Sequence, residues 1–186
     1  MTRVGKYTSV AVVLHWAIAL LIITNVVLGL GANYIPDVYV RPVIDLHKSI
    51  GITVLGLAFL RLAWRLTHKP PPLPEGYAWW ERAAAQAAHV LLYVLIFALP
   101  LTGWIHDSAW SAAASHPMFL YWVIPWFRLG FITGLDPATK DAMHTLFGTV
   151  HTYLGYALYG VLGAHVLGAL KHQFWDGERE LQRMWR

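Results

Sequence analysis

The sequence predicts an all-α integral membrane protein, a four-helix bundle with both termini in the cytoplasm. Three observations carry that class. Of 186 residues, 57% are hydrophobic and only 13% charged, against about 25% charged in a soluble domain. Four apolar segments, near residues 8–31, 43–66, 83–107 and 144–172, are each long enough to span, since a bilayer takes about 20 helical residues. The basic residues are also unevenly placed. Ten fall on the side of the termini and the 61–82 region, and four (Arg41, Lys48, Arg128, Lys140) on the other, while the acidic residues divide evenly. Basic residues favour the cytoplasmic side, so the net charge of +4 reads as a topology signal with no case for nucleic acid. Residues 1–186 are expected to form a single transmembrane domain surrounded by lipid.

The elements follow in order. A short basic lead, residues 1–7, precedes helix 1, which carries His15. That segment is too long for a secretory signal core and shows no convincing cleavage site, so it is expected to be retained. Pro42 is expected to open helix 2, which carries His47 and, one turn on, Gly51, where a missing side chain would leave room for a flat macrocycle. Arg61 and Arg65 share a face at i, i+4, placed either to reach lipid phosphates or to pair with the propionates of such a macrocycle. The proline-rich linker ends on Trp79 and Trp80, expected interfacial anchors. Helix 3 carries His89, Pro100 (an expected kink) and His106. Residues 108–143 are aromatic but broken by Pro125 and Gly130, and are expected to lie on the outer interface. Helix 4 is expected to begin around Asp141.

Helix 4 holds the densest signal. Histidines at 144, 151, 165 and 172 are spaced by 7, 14 and 7 residues, and at 100° per residue all four fall near one stripe. His151 and His165 are roughly 21 Å apart along the axis, most of the ~30 Å hydrocarbon thickness. Ionisable groups at such depth need partners. Depth supplies them: His15, His89 and His165 lie near the inside, and His47, His106 and His151 near the outside. His89 and His106, 17 residues apart, lie about 100° off one face, which counts against helix 3 as the second ligand helix. The simplest closed set therefore pairs His15 with His165 and His47 with His151, and two imidazoles per iron would leave no open position. Gly148 and Gly155 share the stripe, where a porphyrin could press against backbone. With no cysteine in the chain, iron–sulfur clusters and a covalently attached c-type haem are excluded. Haem b or another imidazole-bound metal remains. A transporter or scaffold fits less well, because the only carboxylates near spans (Asp45, Asp107, Asp141) sit at the outer edge.

A helix 1 histidine in LHW, a helix 2 histidine in LHKSIG, and two helix 4 histidines fourteen apart before HQFW resemble the bacterial cytochrome b561 family. That family is related to the cytochrome b subunits of nickel–iron hydrogenases and formate dehydrogenases. The resemblance implies two b haems, an inner one on His15 and His165 and an outer one on His47 and His151. It also implies a quinone site near the inner haem, with His172 at a recurrent histidine position; His89, by its depth, is expected to hydrogen-bond near that haem, to a propionate or to quinone. Small stand-alone members resemble superoxide oxidases, which pass an electron from periplasmic superoxide to ubiquinone, and the shortness of the chain favours that activity. Longer relatives are membrane subunits that exchange electrons between a partner dehydrogenase or hydrogenase and quinone. Outer basic residues Lys48, Arg128 and Arg41 are candidates for steering an anion, although five acidic residues on that side offset them.

Overall fold

The computed structural model describes residues 5–74 and 76–185; Arg3, Arg186 and Glu75, which enter the charge asymmetry, lie outside them. Four long helices dominate: α1 (Ser9–Gly31), α2 (Asp37–Thr67), α3 (Trp79–Ser108) and α5 (Pro137–Phe174). Each is long and apolar enough to cross a membrane. Between α3 and α5 come a 3₁₀ turn (Ala113–Ser115), a hairpin of β1 (Met118–Leu120) and β2 (Ile124–Trp126), and a short α4 (Gly130–Thr133); α6 (Glu180–Arg183) follows α5. The chain packs α1 along α2, α2 along α3, and α3 most extensively along α5. Ile18, Ile50 and Val54 form the buried cluster between α1 and α2. Leu20, Val27, Phe59, Leu60, Val94 and Leu167 are instead exposed on the bundle surface. Apolar surface on every long helix is what a lipid solvent selects, because helices satisfy their own backbone bonds there.

Two helix starts differ from expectation. Helix α2 begins at Asp37 after Pro36, not at Pro42, which lies inside it. Pro36 presets the entry and Asp37 favours the positive helix end, while the internal Pro42 forfeits a hydrogen bond. The last long helix begins at Pro137, one turn before Asp141. Asp136 caps it, its carboxylate accepting from the Thr139 amide at 3.0 Å, and Pro at the first helical position completes the start signal. The hydrogen bond from Thr139 and neighbouring amides holds the Asp136 carboxyl below the ordinary range.

Both ends of the chain meet at one end of the bundle, the tail end. The Tyr7 amide donates to the Arg183 carbonyl at 3.2 Å, and the Trp16 indole to the Met184 carbonyl at 2.8 Å. Arg183 is 4% exposed and donates to the carbonyls of Gly5, Pro71 and Pro72 at 3.3, 3.2 and 2.6 Å, and to Glu180 at 3.0 Å. One guanidinium thus clasps the amino-terminal lead, the 68–78 linker and the tail. Arg183→Ala is expected to destabilise by about 2–4 kcal/mol, because it strands buried acceptors and a carboxylate. Arg183→Lys, which lacks the fork, should recover only part. Thermal unfolding in detergent checks both.

The opposite, hairpin end is tied down by Tyr121, whose amide donates to Ser49 Oγ at 2.9 Å and whose hydroxyl lies 2.7 Å from Thr53 Oγ1. Residues 108–143 make no fifth span.

Candidate functional site

The histidines gather at two levels. At the hairpin end His47 on α2 faces His151 on α5, with ring centres 6.1 Å apart and planes at 77°. At the tail end His15 on α1 faces His165 on α5 at 6.3 Å and 88°. A metal–imidazole bond of about 2.0–2.1 Å on each side puts the centres of two facing rings about 6 Å apart. Both separations therefore suit one ion held between two imidazole nitrogens. Around the first pair the long helices enclose a cavity of about 820 Å³, within the range of cofactor sites.

The hairpin-end rings are seated by a repeated device. His47 Nδ1 donates to the Asn25 carbonyl at 3.0 Å, and His151 Nδ1 to the Leu99 carbonyl at 3.0 Å, with Thr102 Oγ1 at 3.2 Å. A carbonyl only accepts, so Nδ1 carries the proton and Nε2 is left as the free ligand atom. Four residues beyond each carbonyl stands a glycine. A Cβ on Gly29 would lie 3.1 Å from His47 Cε1, and one on Gly103 3.2 Å from His151 Cε1. The absent side chain is what lets each imidazole reach the neighbouring backbone.

The device recurs a third time. His106 Nδ1 donates to the His144 carbonyl at 2.8 Å, and His144 Nδ1 donates back to the His106 carbonyl at 3.0 Å. The two rings stack at 3.8 Å and 18°, and a Cβ on Gly148 would lie 2.9 Å from His106 Cε1. Gly148 therefore makes room for an imidazole, where a porphyrin was expected. Gly51 faces the Asn25 amide at 3.8 Å, ordinary contact with a side chain.

At the tail end His89 lies 5.3 Å from His165 at 63°, beside the facing pair. Arg61 turns inward: Nε donates to Tyr93 Oη at 3.2 Å and Nη1 to the Ala11 carbonyl at 3.4 Å, and its guanidinium lies over the Tyr93 ring, as does that of Arg65. Further out His172 is 9% exposed. Its Nδ1 lies 2.6 Å from Asp176 Oδ2, and Tyr77 stacks on it at 4.0 Å. Lys171 bridges Asp176 and Glu81. Hydrogen bonds from Lys171 and then His172 hold the Asp176 carboxyl below its usual range, whereas burial, with Glu180 nearby, pushes the Tyr77 hydroxyl up.

Three of the four basic residues at the hairpin end are drawn into one network. Lys48 bonds Asp45 at 2.7 Å and Asp107 at 3.2 Å, Arg128 bonds Asp107 at 2.8 Å, and Arg41 bonds Asp45 at 3.3 Å. Three cations against two carboxylates leave one net positive charge. Arg128, with an 8% exposed side chain, also holds the carbonyls of Ala113 and His116.

The sequence leads one to expect the histidines, but not the groups that seat their rings. Asn25, Gly29, Leu99 and Gly103 lie on partner helices, and only a joint search for a histidine and an i, i+4 carbonyl–glycine pair would have found them. Tyr77 and Asp176 were hidden in the linker and the tail, although Asp176 stands at i+4 from His172.

The family model described as prokaryotic cytochrome b561 matches residues 6–186. The chain is 31% identical over 185 residues to "Cytochrome b561 homolog 2" of Escherichia coli strain K12, covering 96% of this chain and 90% of that relative. It is 27% identical over 186 residues to "Probable superoxide oxidase CybB" of Yersinia pestis, covering 96% and 95%. It is 32% identical over 121 residues to "Cytochrome b562" of Cereibacter sphaeroides, covering 60% and 75%. Four membrane-length helices, inward histidines and this match agree: the chain is a multi-pass membrane protein of the prokaryotic cytochrome b561 family, which binds haem b and carries electrons through the membrane.

Proposed function

We propose that residues 1–186 act as one di-haem domain in the bacterial inner membrane, with both termini in the cytoplasm, passing electrons from periplasmic superoxide to ubiquinone. The observation that carries this is the pair of facing imidazole sets, 6.3 and 6.1 Å apart, at opposite ends of α5. His15 and His165 hold the inner iron, His47 and His151 the outer one. A haem between two imidazoles supplies a one-electron carrier with no open site for oxygen.

The remaining steps belong to side chains. Superoxide gives up one electron at the hairpin end and leaves as dioxygen. Its encounter is guided by the single excess positive charge of the Arg41–Lys48–Arg128 network, so the salt dependence should be shallow. At the tail end quinone takes up two electrons and two protons. As an imidazolium, His172 donates Nδ1–H to the Asp176 carboxylate and Nε2–H to a quinone oxygen, and the 45% exposed Lys171 links the cluster to water. His89 stands beside the inner pair as a polar neighbour to the same head group.

A second reading, a cytochrome b membrane subunit serving a partner dehydrogenase or hydrogenase, draws on the hairpin end. Phe119, Trp122, Val123, Phe127 and Phe131 are all exposed there, an aromatic surface of the kind that protein interfaces use. Stopped-flow mixing of oxidised holoprotein with superoxide separates the two. Faster haem reduction than by a neutral reductant of similar potential is expected; parity would hand the function to the partner reading. His172→Ala should slow quinone reduction about tenfold, the worth of one good hydrogen bond, with haem content and superoxide-driven reduction intact.

A further inference from the structure

The two histidine pairs differ in what stands behind their rings. Both hairpin-end imidazoles donate Nδ1–H to a backbone carbonyl at 3.0 Å. Among the described residues neither His15 nor His165 has such a bond; their ring neighbours are Trp16 and His89, each at 5.3 Å. Hydrogen bonding at Nδ1 makes an imidazole a stronger donor and favours the oxidised metal, so it lowers a reduction potential.

The charges differ in the same sense. Lys48 and Arg128 are paired with Asp45 and Asp107. Arg61 and Arg65 rest on the Tyr93 ring, and among the described residues neither forms an ion pair. The Arg61 guanidinium is fixed between the Ala11 carbonyl, one turn before His15, and Tyr93, one turn after His89, whose ring lies 5.3 Å from that of His165. A fixed positive charge in a low-dielectric site favours the reduced state, which carries one positive charge less.

We propose that the site held by His15 and His165 has the higher reduction potential of the two, and that Arg61 is the residue that sets this order. The inference rests on the haem-ligand reading above and adds to its direction of flow the driving force and the residue that sets it. One electron leaves the His47–His151 site, which is oxidised, and arrives at the His15–His165 site, which is reduced. No bond breaks and no proton moves. Pairing of Arg61 with a haem carboxylate would leave the sign unchanged, since removing the guanidinium would expose that negative charge.

Spectroelectrochemical titration of the holoprotein tests it, with His151→Ala and His165→Ala used to assign each midpoint. The expected result is an inner midpoint above the outer one in the wild type. Arg61→Gln should lower the inner midpoint and leave the outer one in place, and Arg61→Lys should keep most of the wild-type value. An outer midpoint at or above the inner, or equal shifts of both in Arg61→Gln, would overturn the proposal. The wild-type ordering decides the first point even if Arg61→Gln fails to fold. If His151→Ala and His165→Ala each retained both haems, the ligand reading itself would be wrong and the inference would fall with it.

Discussion

His165→Ala is expected to purify without the inner haem while keeping the outer one, and His151→Ala to do the reverse. An iron that loses one of its two imidazoles keeps a single protein ligand, so the haem is expected to be lost on purification. The informative control is His89→Ala. His89 is as deep as His165 and lies 5.3 Å from it, but it flanks the facing pair, so its removal should leave both haems and nearly unchanged reduced α bands. Haem extraction against protein concentration measures all three. A His89→Ala protein lacking a haem, beside a His165→Ala protein holding two, would reassign the inner ligand to α3.

The second large effect comes from a residue with no chemistry of its own. In Gly103→Val the new Cβ would stand 3.2 Å from His151 Cε1 and 3.4 Å from Nδ1, and the added methyl groups would push the ring off the Leu99 carbonyl. Overpacking costs about 1–3 kcal/mol, and disturbing what holds a metal-binding histidine typically weakens metal affinity about 10–100-fold. Outer haem should therefore transfer to an apo-globin acceptor faster by a factor in that range, with the inner haem unaffected. Gly160→Ala, where nothing lies within 4 Å, should transfer at the wild-type rate. Equal rates in all three proteins would mean that the glycine seat does not hold the ring.

The sequence disclosed what depends on period and hydropathy. Four spans and the stripe of histidines on α5 could be read because helix geometry converts residue number into depth and face. Cross-helix relations could not. Nothing in the α3 sequence says that Leu99 and Gly103 will face His151, or that His106 and His144 will exchange hydrogen bonds with each other's backbone. The hairpin was illegible for a different reason. Its turn puts Tyr121 and Trp122 at positive φ, 51° and 61°, where asparagine and glycine are the usual signal. The conformation is held from outside by Ser49 and Thr53 on α2, so no local rule could have found it. The early start of α5, by contrast, was written plainly in Asp136 and Pro137.

The glycine seats also bear on biogenesis. The hairpin-end imidazoles are aimed by Asn25, Gly29, Leu99, Thr102 and Gly103, and so exist as a finished mould as soon as the helices associate. At the tail end two rings that have no backbone tether among the described residues must be brought into line by whatever arrives between them, and the entropy of that alignment opposes binding. On the proposed di-haem reading, a newly inserted chain in a haem-starved cell would fill its hairpin end first and wait, half-matured and unable to conduct, for the tail end.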